Sequence, residues 1–244
     1  MLKLLLLGGT TEARQLAEQL QQAEVEFVYS LAGITRATPL PFAVRRGGFG
    51  GVDGMAAWLR REHIGLVVDA SHPYAAGISS NALAAGRQSG VPVWRYQRPP
   101  WQAGADDHWL PVSDWPQACR LLQRYQRPLI TLGSSPLRQP LPVPDAASWL
   151  LRCVPGWQGP LPPRVTLIQQ RGPFTLAQER TLFAQAHIDV LISRNSGGPQ
   201  RAAKLQLAAE SGIPVLMLQR PSLVAADRQF SETDTLITSI LTLI

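Results

Sequence analysis

The chain of 244 residues is 45% hydrophobic and 16% charged, which excludes a disordered segment and suffices for the core of one large domain or two small ones. Its 23 Lys and Arg outnumber 17 Asp and Glu, for a formal charge of +6 and a pI near 10.0. Only Lys3 and Lys204 are lysine; every other cation is arginine, which binds carboxylate and phosphate through a fork of donors. With no Lys/Arg block, zinc-finger spacing or aromatic-basic RNA motif, an anionic ligand is expected and a nucleic acid is not. Cys119 and Cys153 stand apart from any metal-ligand spacing, which suits a reduced protein and no bound metal. The leucine run after Lys3 is too short for a secretory signal, and no stretch approaches a membrane span, so a cytoplasmic protein without a membrane partner is expected.

Residues 4–20, LLLLGGTTEARQLAEQL, predict a buried strand, a tight turn and an amphipathic helix, with Leu16 and Leu20 four apart on the inner face. The turn Gly8, Gly9, Thr10, Thr11 would offer unpaired N–H groups and the positive end of a helix dipole to a phosphate. It lacks the G-x-G-x-x-G spacing, and the same turn also serves as an ordinary connection in a parallel-sheet protein. A second strand is predicted at residues 25–31. No carboxylate follows it between Phe27 and Gly51, whereas Ser30, Thr35 and Arg36 do, so a dinucleotide held here is expected to carry the 2′-phosphate. A short strand at 42–45 runs into GGFGG at 47–51, either a lid with one apolar residue at its tip or a plain flexible turn.

A helix at 55–62 and a buried strand at 64–70 lead to Ser71 and His72, just before Pro73 at the mouth of a helix over 75–89. Ligands of open parallel sheets gather at that edge. His72 there is a candidate proton donor or anion contact, or simply a packing residue. A strand at 91–96 closes the first unit. Residues 97–111, rich in Pro, Trp and Gly, read as a linker, with the second unit beginning near Ser113; the domain boundary is set at residue 100.

In the second unit a helix at 113–125, a strand at 128–132, a glycine turn at 133–135 and a strand at 149–154 are predicted. A strand at 165–170 ends on Arg171, and a helix runs to residue 186. A strand at 188–193 ends on Arg194, Asn195 and Ser196; the next helix carries Arg201 and Lys204 on one face; a strand at 213–218 ends near Arg220. Helices between successive strands require them to be parallel, so these cations line one edge of one sheet as a polyanion site.

The sequence resembles the precorrin-6A reductases of cobalamin biosynthesis, which include cobalt-precorrin-6A reductases. The blocks that carry the resemblance are GGTTEAR at 8–14, SLAG at 30–33, GGFGG at 47–51, DASHPYA at 69–75, RPPW at 98–101, RGPF at 171–174 and SRNSGG at 193–198 followed by Lys204. Ile34 stands where many members have arginine, Arg194 replaces a common lysine, and Ser71 and Tyr74 replace Thr and Phe. The resemblance implies an α/β fold of two Rossmann-like domains with mainly parallel sheets and a cleft between them. Residues 1–100 would bind the coenzyme and residues 101–244 the tetrapyrrole. It implies NADPH, with NADH as the alternative, as the reductant of one CH–CH bond in a polycarboxylate macrocycle, and transient contact with neighbouring pathway enzymes. Coenzyme contacts then fall to Gly8, Gly9, Thr10, Thr11, Ser30 and Arg36. Substrate contacts fall to Arg14, His72, Arg171, Arg194, Asn195, Ser196, Arg201, Lys204 and Arg220, with His72 as proton donor. The alternative reading is a non-catalytic Rossmann-like module that binds a polyanion.

Overall fold

A computed structural model describes residues 2–33, 40–198 and 202–244. The chain begins β1 (Leu4–Leu7), α1 (Thr11–Gln22), β2 (Phe27–Leu31), β3 (Val44–Arg46), α2 (Gly51–Arg61), β4 (Leu66–Asp69), α3 (Ala76–Ser89) and β5 (Val93–Tyr96). It continues with β6 (Trp109–Val112), α4 (Trp115–Leu122), β7 (Pro128–Ile130), β8 (Trp149–Cys153), β9 (Val165–Gln169), α5 (Leu176–Ala186), β10 (Val190–Arg194), α6 (Ala203–Glu210) and β11 (Val215–Leu218). It ends with β12 (Arg228–Phe230) and α7 (Thr233–Leu241). Two compact units result, Met1–Pro99 with Pro221–Ile244, and Pro100–Arg220.

The first unit holds a six-stranded sheet in the order β3-β2-β1-β4-β5-β12, every pairing parallel. Leu4 and Leu6 of β1 pack against Leu16 and Leu20 of α1 and Leu236 and Ile240 of α7. Leu5 and Leu7 face the other way, onto Met55 and Leu59 of α2 and Leu83 of α3. With helices on both faces, alternation disappears, which is why β1 reads as an unbroken leucine run. The chain steps outward from β1 to β3 and then crosses to β4 on the far side of β1. That reversal opens a crevice at the carboxyl ends of β1 and β4, where doubly wound sheets take their ligands.

The second unit repeats the plan in the order β6-β11-β10-β7-β8-β9, again all parallel. Ile130, Trp149, Leu151, Ile192 and Leu216 cover one face with α4, while Leu129, Leu191 and Met217 meet Phe183 of α5 and Leu205 of α6 on the other. Here the reversal falls between β7 and β10.

Three expectations change. The first domain does not simply end at residue 100: β12 pairs with β5 in parallel register, Arg228 opposite Trp94 and Phe230 opposite Tyr96, and α7 packs on α1, so the last residues complete the first sheet. The stretch read as a linker holds β6, which pairs with β11 through residues 109–112. Arg171, Arg194 and Arg220 do follow parallel strands of one sheet, yet β9 is separated from β10 by β7 and β8. Arg171 therefore stands well apart along the edge from the other two.

Candidate functional site

In the first unit the turn after β1 is shaped by Tyr29. A side chain at residue 8 would run into the Tyr29 ring, so glycine is required there; Gly9 takes φ +110, and space around it is open. The Gly9 N–H donates to the Tyr29 hydroxyl at 3.3 Å, and burial raises the Tyr29 pKa above its ordinary value. Thr10 caps α1 by accepting from the Ala13 N–H at 3.0 Å, while its hydroxyl donates to the Ala70 carbonyl at 3.0 Å. One side chain thus ties the two strand ends that flank the crevice. Glu12 lies in the first helical turn with both carboxylate oxygens on Arg98 Nη1, at 2.6 and 2.7 Å. The pair is neutral, so Glu12 does not turn the helix mouth negative.

Below the crevice Asp69 is buried. It accepts from Arg95 Nε at 3.0 Å, from the Ser71 hydroxyl at 2.6 Å and from the Ser71 N–H at 3.2 Å. Arg95, its register neighbour on β5, reaches on to the Val224 carbonyl at 2.8 Å. These bonds hold the segment that carries His72. His72 Nδ1 accepts from the Tyr74 N–H at 3.2 Å, which places the proton of the neutral ring on Nε2.

The second unit is more open at the corresponding place. A cavity of about 660 Å³ is bounded by Thr131, Gly133, Arg152, Cys153, Glu179 and Lys204, among others. A neighbouring one of about 780 Å³ reaches Arg171 and shares Arg152 and Phe174 as walls. Arg152 of β8 and Glu179 of α5 form a buried fork, Nη1–Oε2 3.0 Å and Nη2–Oε1 2.7 Å. The Phe174 ring lies 4.1 Å from the Arg152 guanidinium carbon, stacked on its cation. Lys204 Nζ donates to Thr131 Oγ1 at 2.5 Å. Burial first, then the Arg152 cation, push the Lys204 ammonium down to about 7; Glu179 pulls the other way, and Arg194 adds a smaller push down. Arg194 Nη2 donates to the Ser135 hydroxyl at 3.3 Å.

The family model described as precorrin-6x reductase CbiJ/CobK matches residues 3–241. The chain belongs to the precorrin-6x reductase family. It is 42% identical over 229 residues to the precorrin-6A reductase of Rhodococcus erythropolis, covering 93% of this chain and 92% of that one. The Rhodobacter capsulatus precorrin-6A reductase is 41% identical, with 93% and 91% covered. The cobalt-precorrin-6A reductase of Salmonella typhimurium is 32% identical, with 91% and 89% covered. A solved structure of the CobK precorrin-6A reductase superposes with a TM-score of 0.88 at 36% identity, over 99% of this chain and 97% of that one.

Seen in this family member, the sequence-derived residues fall into groups. Gly8, Gly9, Thr10 and Thr11 form the turn at the first crevice, and Ser30 is next to last in β2 beside it, its carbonyl accepting from the Gly8 N–H at 2.9 Å. Arg14 is instead on the outer face of α1, paired with Glu18 at 3.0 Å, and bounds no cavity described above. The tip of the glycine loop is packed: Phe49 meets Trp58 edge-on at 5.4 Å and lies 3.6 Å beneath the Arg45 guanidinium, while Arg45 donates to the Gly47 and Gly48 carbonyls. That arrangement fits an anchored turn. Ser196 and Lys204 border the cavity of about 660 Å³, and Arg171 its neighbour. Asn195 clasps the Trp101 backbone with both ends of its amide, at 2.8 and 2.9 Å, and Arg220 braces the Asn195 and Ser196 carbonyls. Arg36 and Arg201 lie outside the described residues. Sequence reading passed over Arg152 and Glu179. The available signal was a lone arginine inside the apolar strand WLLRC, since a charge there demands a partner. No helix among the described residues is long and apolar enough to cross a membrane.

Proposed function

We propose that this chain is a cytoplasmic precorrin-6A reductase of cobalamin biosynthesis that uses NADPH, binds the coenzyme on its first unit and seats the macrocycle over the cavities of its second. The observation that carries the reading is the family match over residues 3–241, joined to relatives aligned along more than nine-tenths of both chains. The turn at Gly8 to Thr11 suits a dinucleotide pyrophosphate, because a glycine without steric cover precedes the N-terminus of a twelve-residue helix. The coenzyme, when bound, supplies the hydride. For the 2′-phosphate, Arg46 on β3 is a candidate beside Arg36: it is exposed and sits in register with Leu31, at the end of β2 where that group would lie.

Over the second unit, Arg171 and Arg194 are the contacts proposed for the macrocycle's carboxylates, with Lys204 facing the ring itself from the cavity it borders. Arg152, tied to Glu179, gives the cavity a fixed wall rather than a free charge. Asn195 and Arg220 serve the same site at one remove, by holding the loop that bears Ser196.

Mixing the protein with NADPH and precorrin-6A tests the assignment: NADPH absorbance should fall in step with conversion to the 6B form. Binding without any oxidation of NADPH would return the chain to the class of polyanion-binding modules. Arg46→Ala should weaken NADPH by about tenfold, roughly one charge-assisted contact, and leave NADH unchanged in fluorescence titration. Equal weakening of both coenzymes would remove Arg46 from the 2′-phosphate.

A further inference from the structure

Reduction of a carbon–carbon double bond needs a hydride at one carbon and a proton at the other. We infer that the proton donor is Lys204, held by Thr131 at the reversal of the second sheet, an assignment that rests on the macrocycle lying over the second unit. His72, the donor expected from sequence, belongs to the first unit and has its Nδ1 occupied by the Tyr74 N–H.

The geometry of the Thr131 hydroxyl is what orients the amine. Both the N–H and the Oγ1–H of Thr131 donate to the Ile192 carbonyl, at 3.0 and 2.8 Å. With its own proton committed there, Oγ1 can only accept from Lys204, which it does at 2.5 Å. One N–H of the ammonium is thereby fixed on the strand edge, and the others remain for a group lying in the cavity that Lys204 and Thr131 both border. Thr131 follows β7 directly and Ile192 lies on β10, so this anchor spans the two strands between which ligands of doubly wound sheets collect.

The surroundings make the amine ready to lose that proton. Lys204 sits in the first turn of α6, the end of a helix where a cation is least welcome. The charged groups around it are Arg152 from β8, Arg194 from β10 and Glu179 from α5. Glu179 is already engaged by Arg152 through both oxygens, so its pull on the ammonium is partly spent. The net effect is the fall to about 7, the range in which a general acid is both charged and willing to give up its proton. Cys153 also borders the cavity, and burial raises its thiol above the ordinary value, away from that range.

In the step itself the Nζ–H bond breaks as a C–H bond forms at one carbon of the double bond. The hydride and its electron pair, from NADPH, form the second C–H bond at the other carbon. The macrocycle gains one hydride, which carries both electrons, and one proton; NADPH leaves as NADP⁺; the neutral Lys204 amine regains its proton from water.

Single-turnover reduction of precorrin-6A by NADPH, followed across pH, tests this. For the parent protein the rate of the chemical step should fall as pH rises through about 7, because the acid must be charged. Lys204→Met should lower that rate by about 100-fold to 1000-fold, in the range for loss of a general acid, and abolish the pH limb, with macrocycle affinity within about threefold of the parent. Lys204→Arg should restore little of the rate, since a guanidinium does not release its proton near neutrality. Thr131→Val, which keeps the amine but frees it, should lower the rate and shift the limb to lower pH, because the ammonium loses its acceptor; it carries the test if Lys204→Met does not fold. Rescue of the rate by arginine would overturn the assignment, as would a Lys204→Met protein that loses macrocycle affinity but not rate. Either result makes Lys204 a carboxylate contact and leaves the macrocycle on the second unit. Unchanged rate together with unchanged affinity in Lys204→Met would overturn both the assignment and that placement.

Discussion

The two sheets of this chain share one plan and treat charge in opposite ways. At the first crevice the ionised groups are matched: Asp69 with Arg95, Glu12 with Arg98, and the threonine cap with the Ala70 carbonyl. At the second crevice one pair, Arg152 with Glu179, is matched, and Lys204, near the Arg152 and Arg194 cations, donates to the neutral Thr131 hydroxyl. A satisfied network holds a backbone in place and offers no spare side-chain charge, so an anion there would rest on the backbone N–H groups of the glycine turn. An excess of positive charge destabilises the free protein and is relieved when carboxylates arrive. The same architecture can therefore be a rigid frame in one copy and a receptive surface in the other.

The sharpest way to break the comparison is to unmatch the first crevice. Arg95→Met leaves Asp69 buried without its cation, and chemical denaturation should show a loss of about 3–5 kcal/mol, the usual penalty for orphaning one half of a buried pair. A loss below about 1 kcal/mol would mean that the Ser71 bonds alone satisfy Asp69.

A smaller effect is expected from thinning the charge of the second unit. Arg171→Ala or Arg194→Ala should raise the KM for the macrocycle by about ten- to a hundredfold, the removal of one charge-assisted contact of about 1.5–3 kcal/mol. NADPH affinity should stay put. Reversed outcomes, with NADPH lost and the macrocycle retained, would exchange the roles of the two units.

The smallest effect concerns stability and pH. Lys204 sits near 7 in the folded chain and near its ordinary 10.5 when unfolded. Between those values the unfolded chain binds more protons, so this residue's unfavourable contribution is full below pH 7 and fades as pH rises towards 10.5. Lys204→Met should accordingly raise Tm at pH 7 by about 2–4 °C, as a change near 1 kcal/mol does in a chain of this size, and the gain should vanish near pH 10. A thermal shift series at several pH values reads this directly. A variant that is no more stable at pH 7 than at pH 10 would show that the amine sits in the fold without strain.

Where strands are covered on both faces, their composition announces them: LLLL of β1 and VLIS of β10 could scarcely be anything else. The edges were harder to read. β6 reads WLPV, half exposed and with a proline, which only an edge strand tolerates. β12 is three residues with one buried side chain, and nothing local tells that it pairs with a strand more than a hundred residues earlier. The glycine turns and most of the strand-end cations were legible because chemistry and position coincide there. The buried pairs were not, since Asp69–Arg95 and Arg152–Glu179 are separated by 26 and 27 residues and meet only across strand register or helix packing. Each left one trace, an arginine inside an apolar strand.

The return of β12 and α7 to the first sheet sets a timetable for the chain's synthesis. A ribosome has to deliver the whole second unit before the strand that belongs beside β5 emerges. Until then β5 is an open edge, its main-chain donors and acceptors unmet and Trp94 and Tyr96 lacking Phe230, Leu236 and Ile240 as neighbours. The nascent first unit is thus sticky for as long as the second takes to be made, roughly ten seconds at bacterial elongation rates. A message cut short after codon 220 would yield a product that keeps a complete second sheet and exposes an unfinished first one, the kind of chain that quality-control proteases remove.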